Sequence, residues 1–226
     1  MIRAVLFDMD GTLLDTERIS RVAWNRTFDA MGLEMDSEWW FERISGMNIE
    51  AIRTFFLNEC GDQFPFDEVR QRRHDFYVEL VETDGALCKA GVPEVFDTLQ
   101  QMGIRQAVAS SSSEPWVRRC LGVAGVDISL FDVLMTGEKV ERSKPDPEIF
   151  LRAAALLGVS PEACVVVEDS RNGVLAGHAA GMKTVMIPDL IPCTDELRPL
   201  LWHCIDSLAQ LPQLIGNYNL ESENRT

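Results

Sequence analysis

Short β-branched or apolar runs at residues 2–7, 104–109, 133–135, 164–167 and 184–187 punctuate this chain, and most are separated by stretches whose apolar residues recur at helical spacing. That alternation constrains the fold more than any other feature. The helical stretches fall at 94–102, 115–121, 147–157 and 172–180, with glycines at 103, 122, 158 and 181 to stop them. Strand, helix and strand in succession require parallel pairing with right-handed crossovers, which puts helices on both faces of an open sheet. The expected class is α/β, a Rossmann-like doubly wound parallel sheet.

The rhythm breaks between about residues 16 and 86, where no strand pattern occurs but helical spacing appears at 19–31, at 48–60 with Asn48 as N-cap, and at 67–81. An all-helical insert is the simplest reading. Trp24, Trp39 and Trp40, with Phe28, Phe41, Phe55 and Phe56, would form its own small core. The expected organisation is therefore a catalytic core of residues 1–15 and 87–215, a small helical cap of residues 16–86, and a polar tail, 216–226, that frays. A chain of 226 residues with 46% hydrophobic and 25% charged residues can bury a core of that size.

Net charge excludes some partners. Twenty-one basic against 36 acidic residues leave −15, a field that repels nucleic-acid polymers and anionic membranes. A small anionic substrate would need a metal ion or a few placed cations. The cysteines at 60, 88, 120, 164, 193 and 204 show neither a zinc spacing nor a disulfide framework. With no leader pattern and no apolar run near the roughly 18 residues of a membrane span, a cytoplasmic location is expected.

Four clusters carry chemistry. The first strand runs into Phe7-Asp8-Met9-Asp10-Gly11-Thr12. Residues two apart in an extended segment face the same way, so Asp8 and Asp10 start with matched orientation, and Gly11 permits a sharp turn. This is the sheet edge at which open α/β folds hold ligands. Glu168-Asp169 ends the run Val165-Val166-Val167 and supplies a second acidic pair. Four acids on one edge repel each other unless a cation sits among them, and oxygen-only ligands suit Mg²⁺. Ser110, Ser111, Ser112 and Ser113 follow the second strand pattern and precede a helix, so hydroxyls and amides there could hold an anion. In Ser143-Lys144-Pro145-Asp146-Pro147, Asp146 can cap a helix and a stiff turn holds Lys144 just ahead of it. Taken singly, each cluster also has an ordinary reading: a turn with solvated acids, helix capping at Asp169 or Ser170, capping by the serines, and a surface lysine. Their order along the chain favours one site.

In that order the four clusters resemble the haloacid dehalogenase superfamily of hydrolases. The resemblance runs from residue 2 to about 211 and includes Asp15-Thr16-Glu17, Ser143-Lys144-Pro145-Asp146-Pro147 and Glu168-Asp169-Ser170-Arg171-Asn172-Gly173-Val174. The helical insert looks like the small cap of the subgroup containing β-phosphoglucomutase and sugar-phosphate phosphatases. The resemblance implies an enzyme, a phosphoric monoester hydrolase. Asp8 would be the nucleophile that forms an aspartyl-phosphate, and Asp10 the general acid and then base. Mg²⁺ would be held by Asp8, the Asp10 backbone carbonyl, Asp169 and Glu168. Ser110, Ser111 and Lys144 would bind the phosphate. Glu17, Ser20, Gly46, Met47 and Asn48 would set substrate specificity, with Arg21 and Trp24 as further candidates to face the site. The partner would be a small phosphate ester, with no nucleic-acid polymer and no membrane, and a monomer is compatible with it.

Rival chemistries leave different residues. Dehalogenases of the superfamily lack the second aspartate of the first motif, and phosphonate-cleaving members need a cap lysine, whereas the first lysine here is Lys89. A β-phosphoglucomutase-like mutase is the nearer alternative. Its cap histidine, its arginine and its lysine correspond here to Ser20, Ile49 and Ser45, although Arg43 or Arg53 could substitute. A catalytically idle binding protein on the same scaffold is a further alternative. Arg70, Arg72 and Arg73 read as a solvated helix face, and His74, His178 and His203 as structural or surface residues.

Overall fold

The computed structural model describes residues 1–35 and 37–224. In chain order its elements are β1 (Ala4–Phe7), α1 (Thr16–Met31), α2 (Ser37–Ile44), α3 (Ile49–Cys60), α4 (Phe66–Asp84), α5 (Val92–Gln101), β2 (Arg105–Ser110), α6 (Glu114–Val123), β3 (Val133–Thr136), α7 (Glu148–Leu157), β4 (Cys164–Glu168), α8 (Arg171–Ala179), β5 (Lys183–Met186), β6 (His203–Cys204) and α9 (Leu211–Glu223). Among the described residues the strands form one parallel sheet in the order β3-β2-β1-β4-β5-β6.

Strands buried on both faces read as continuous apolar runs, as β1 and β4 do. Successive side chains of β1 enter different cores. Val5 and Phe7 pack with Phe96 of α5, Val117 of α6 and Leu211 of α9, while Ala4 and Leu6 pack with Phe150 of α7 and Ala176 of α8. Phe7 pairs with Val108 on one side and Val167 on the other, so the carboxyl ends of β1, β2 and β4 lie within two residues of one another. Asp8, Ser110 and Glu168 therefore emerge from one edge. On α8, an added Cβ at Gly177 would lie 2.6 Å from Thr184 Oγ1 and 3.1 Å from a Val166 methyl, so glycine lets this helix lie close on the sheet.

The insert after β1 is helical over its described residues, α1 to α4. Trp24, Phe28, Trp40, Phe41 and Phe56 are buried together, with ring centroids of Trp24 and Trp40 5.2 Å apart. Trp39, expected in that core, instead lies at its rim against Phe55 with Arg43 over its ring. Asn48 caps α3 as expected, accepting from the Ala51 amide at 3.0 Å. The two segments entering and leaving the insert are tied together, Asp15 N to Leu87 O and Lys89 N to Leu13 O, both at 2.9 Å.

Two sequence expectations are corrected, and two elements join those expected. The eight-residue α2 and the two-residue β6 carry too little pattern to register as elements. Gly122 lies inside α6, and the left-handed glycine beyond that helix is Gly125. The tail 216–226 does not fray over its described part. It continues α9 to Glu223, because Ile215 is buried and Asn219 grips both the amide (2.5 Å) and the carbonyl (3.1 Å) of Ile2, while residues 225–226 lie outside the described residues. No helix among the described residues is long and apolar enough to cross a membrane.

Candidate active site

At the carboxyl edge of β1, β2 and β4, the Lys144 ammonium donates to Asp8 Oδ1 and Glu168 Oε1, both at 2.6 Å, and to the Ala109 carbonyl at 3.0 Å. All three of its protons are used, and the three charged side chains are buried. Burial works against the ammonium charge, but the Asp8 and Glu168 carboxylates outweigh it and hold the lysine well above its ordinary range. The other Glu168 oxygen, Oε2, accepts from the Asp169 and Ser170 amides at 3.1 Å and from Ser170 Oγ at 3.0 Å. Glu168 thus joins the lysine to the start of α8.

That arrangement leaves no room at Gly173. A Cβ there would sit 1.8 Å from Glu168 Cδ, and three hydrogen bonds prevent the carboxylate from yielding. Gly173→Ala is expected to destabilise the fold by about 1–3 kcal/mol and to lower activity, read from urea unfolding and turnover of the same preparation.

Asp8, Glu168 and Asp169 each place a carboxylate oxygen within 4.8 Å of the others. Three buried acids against one lysine leave an uncompensated negative centre. Burial pushes the Asp8 and Asp169 carboxyls well above the carboxylate range. The Glu168 charge adds to both, and Lys144 opposes the rise at Asp8. Gly11 takes φ +82°, and a Cβ on it would lie 2.2 Å from Asp169 Oδ2, so the turn closes tightly on this acid. The all-oxygen donor set and its surplus negative charge fit a hard divalent cation.

Asp10 faces elsewhere. Its carboxylate accepts from Thr16 Oγ1 at 2.6 Å, Ser112 Oγ at 3.1 Å and Ser110 Oγ at 3.4 Å. Its side chain is therefore engaged away from the acidic triplet. Ser110 is buried and accepts from the Ser112 amide, which shapes the loop, whereas Ser111, Ser112 and Ser113 line the open space above it. Gly137, after β3, supports this loop from behind: its amide donates to Ser112 O at 3.0 Å, and a Cβ would meet Ser111 O at 2.1 Å.

The helical insert covers the edge and encloses a cavity of about 910 Å³. Among the contacts that hold it down, Ser111 Oγ donates to Gly46 O at 2.7 Å, and Asn172 Nδ2 donates to Ser45 O at 2.8 Å and Arg43 O at 3.2 Å. Asp8, Asp10 and Asp169 share the cavity with Glu17, Ser20, Trp24, Gly46, Met47 and Asn48, all named from sequence. Arg21 is not part of that lining. Arg43 and Arg53 are not in that lining either: Arg43 lies on Trp39, and Arg53 pairs with Asp67 over the Phe66 ring.

Arg73 departs from its sequence reading, and Trp116 joins it in the lining. Arg73, read as part of a solvated run, donates from Nη2 to Ser20 Oγ at 2.6 Å and lies 4.1 Å from the Tyr77 ring centroid. His74 is exposed, as expected of a surface residue, and lines the cavity 6.0 Å from Trp116, which lines it as well. The aromatic and basic pattern of α4 and α6 held the signal for these residues, but only the packing of α4 against α1 shows which way they face.

The model of the haloacid dehalogenase-like hydrolases matches residues 2–181. Among curated proteins, the chain is 32% identical to "Protein CbbY" of Cereibacter sphaeroides over 96% of either chain. It is 31% identical to hexitol phosphatase A of Escherichia coli, covering 95% of this chain and 97% of that protein. Among solved structures it is similar to CbbY from Rhodobacter sphaeroides in complex with phosphate, with TM-score 0.75 and 32% identity over 93% of this chain and 96% of the other.

Proposed function

This chain belongs to the haloacid dehalogenase-like hydrolases, and from that premise we propose that it is a Mg²⁺-dependent phosphatase which hydrolyses a small sugar or polyol phosphomonoester through an aspartyl-phosphate. One observation carries the reading: Asp8, Glu168, Asp169 and Lys144 meet at one sheet edge beside the serine loop. Residues 16–86 act as the cap and the rest as the core, and the unpaired cysteines suit a reducing cytoplasm.

Asp8 attacks phosphorus, and the bond from phosphorus to the ester oxygen breaks as Asp10 gives that oxygen a proton. Water then attacks the phosphoryl group, Asp10 takes its proton, and the bond to Asp8 breaks to release phosphate. Thr16, Ser110 and Ser112 orient Asp10 for both transfers. Lys144 offsets charge on Asp8 and on the phosphoryl oxygens, while Glu168 holds Lys144 in place. The carboxylates of Asp8 and Asp169, with Glu168 and the Asp10 carbonyl, would hold Mg²⁺. Bound there, the ion would neutralise phosphoryl charge.

Phosphate release is expected from sugar and polyol monophosphates in the presence of Mg²⁺, falling at least about tenfold in EDTA and returning when Mg²⁺ is restored. A panel of sugar, nucleotide and polyol phosphates read by released phosphate tests this. No release from any member would overturn the reading in favour of an idle binding protein, and interconversion of glucose 1-phosphate primed by a bisphosphate would favour a mutase.

A further inference from the structure

The loop between β5 and β6 touches both halves of the molecule. Near its start the buried Asp189 carboxylate pairs with Lys89, in the segment that leaves the insert. The next residue, Leu190, packs against the aromatic cluster of Trp24, Phe28 and Trp40, while Ile191 is buried on the other side with Val174, Met186 and Leu197. A single short loop thus holds the hinge and the insert to the sheet.

Further along, the fold brings together two cysteines whose sequence spacing carries no pattern. Cys193 packs on the cluster that contains Met186, and Cys204 stands opposite Met186 in the pairing of β5 with β6. Their thiols are hydrogen-bond partners. Cys204 is exposed and Cys193 half-buried, so a small solute can reach the pair, whereas Cys120 and Cys164 are buried. Partial desolvation, and then the Cys193 thiol beside it, push the Cys204 thiol up to about 11. Little thiolate is present at neutral pH, so oxidation is slow. The reduced form equally lacks the thiolate stabilisation that makes some disulfides easy to reduce, so a bond once made persists.

We propose that Cys193 and Cys204 are a redox modification site, closed by a hydroperoxide into a disulfide that fixes the loop and slows the swing of the insert. Hydrogen peroxide oxidises one thiol to a sulfenic acid, its O–O bond breaking with loss of water. The other thiol attacks that sulfur, a second water leaves, and the S–S bond forms. The pair gives up two electrons and two protons, and the peroxide is reduced to two waters. With the loop braced to the sheet, Leu190 must part from the insert's core at each opening instead of moving with it. Formation of the bond is independent of the phosphatase reading, and only its effect on turnover rests on that reading.

The test exposes the purified protein to hydrogen peroxide without denaturant, blocks the remaining thiols and maps linked peptides by mass spectrometry, with Cys204→Ser and Cys193→Ala alongside. Wild type is expected to yield the 193–204 linkage and the variants none. Hydrogen exchange at the amides of residues 189–191 is expected to slow about tenfold in the oxidised protein, a readout that needs no substrate. Phosphate release is expected to fall about threefold or more on oxidation and to return with dithiothreitol, while peroxide-treated Cys204→Ser keeps its rate. Absence of the linkage after prolonged exposure would overturn the site. Linkage with unchanged exchange or unchanged turnover would overturn the brace, as would a loss of rate that Cys204→Ser shares. If reduced wild type releases no phosphate, the phosphatase reading fails, and mapping and exchange still decide the site.

Discussion

Asp8→Asn abolishes turnover: kcat falls roughly 10⁴-fold or more while the fold is retained. The amide has nearly the shape of the carboxylate but no anionic oxygen to form the bond to phosphorus. The substitution also removes one negative charge from a cluster whose burial already pushes Asp8 and Asp169 well up. Lys144 keeps Glu168 and the Ala109 carbonyl as partners, so no buried charge is orphaned. Phosphate release and urea unfolding on one preparation separate the two effects, and undiminished hydrolysis by this variant would remove the nucleophile from the mechanism.

The second large effect lies with the lysine. In Lys144→Met, Asp8 and Glu168 lose their shared cation inside the protein, and removing one partner of a buried ionic cluster costs about 3–5 kcal/mol. Activity is expected to fall about 10²–10³-fold as well, since a positive charge aimed at the phosphoryl group is lost. Unfolding followed in EDTA measures the stability term without a metal to compensate. Full stability in that variant would show that the carboxylates are not held as the ion network requires.

The architecture was readable because its strongest signals are local. Val165-Val166-Val167 reads as a buried strand, and as one it puts the acids after it at the sheet edge. Where pattern was thin, packing decided. β6 is two residues long, and the anchor of α9 is the polar Asn219, whose spacing said nothing about its hold on Ile2. The acidic residues and Lys144 were likewise legible, but their division of labour was not. That Glu168 gives one oxygen to Lys144 and the other to the start of α8 depends on a contact across 24 positions. Arg73 reads as one charge in a basic run until Ser20, 53 positions away, is found beside it.

The clasp between the two parts of the molecule has a consequence for how such a protein can diversify. Ser111 and Asn172 take hold of the carbonyl oxygens of residues 43, 45 and 46, atoms that every amino acid possesses. Exchanging the side chain of residue 43 therefore leaves the fastening intact, whereas Ile44 is held by the insert's core, Asn48 by its cap on α3, and Gly46 by Ser170 Oγ, which a Cβ would approach within 2.6 Å. A lineage built on this joint is free to try new cargo while its hydrolytic apparatus stays untouched.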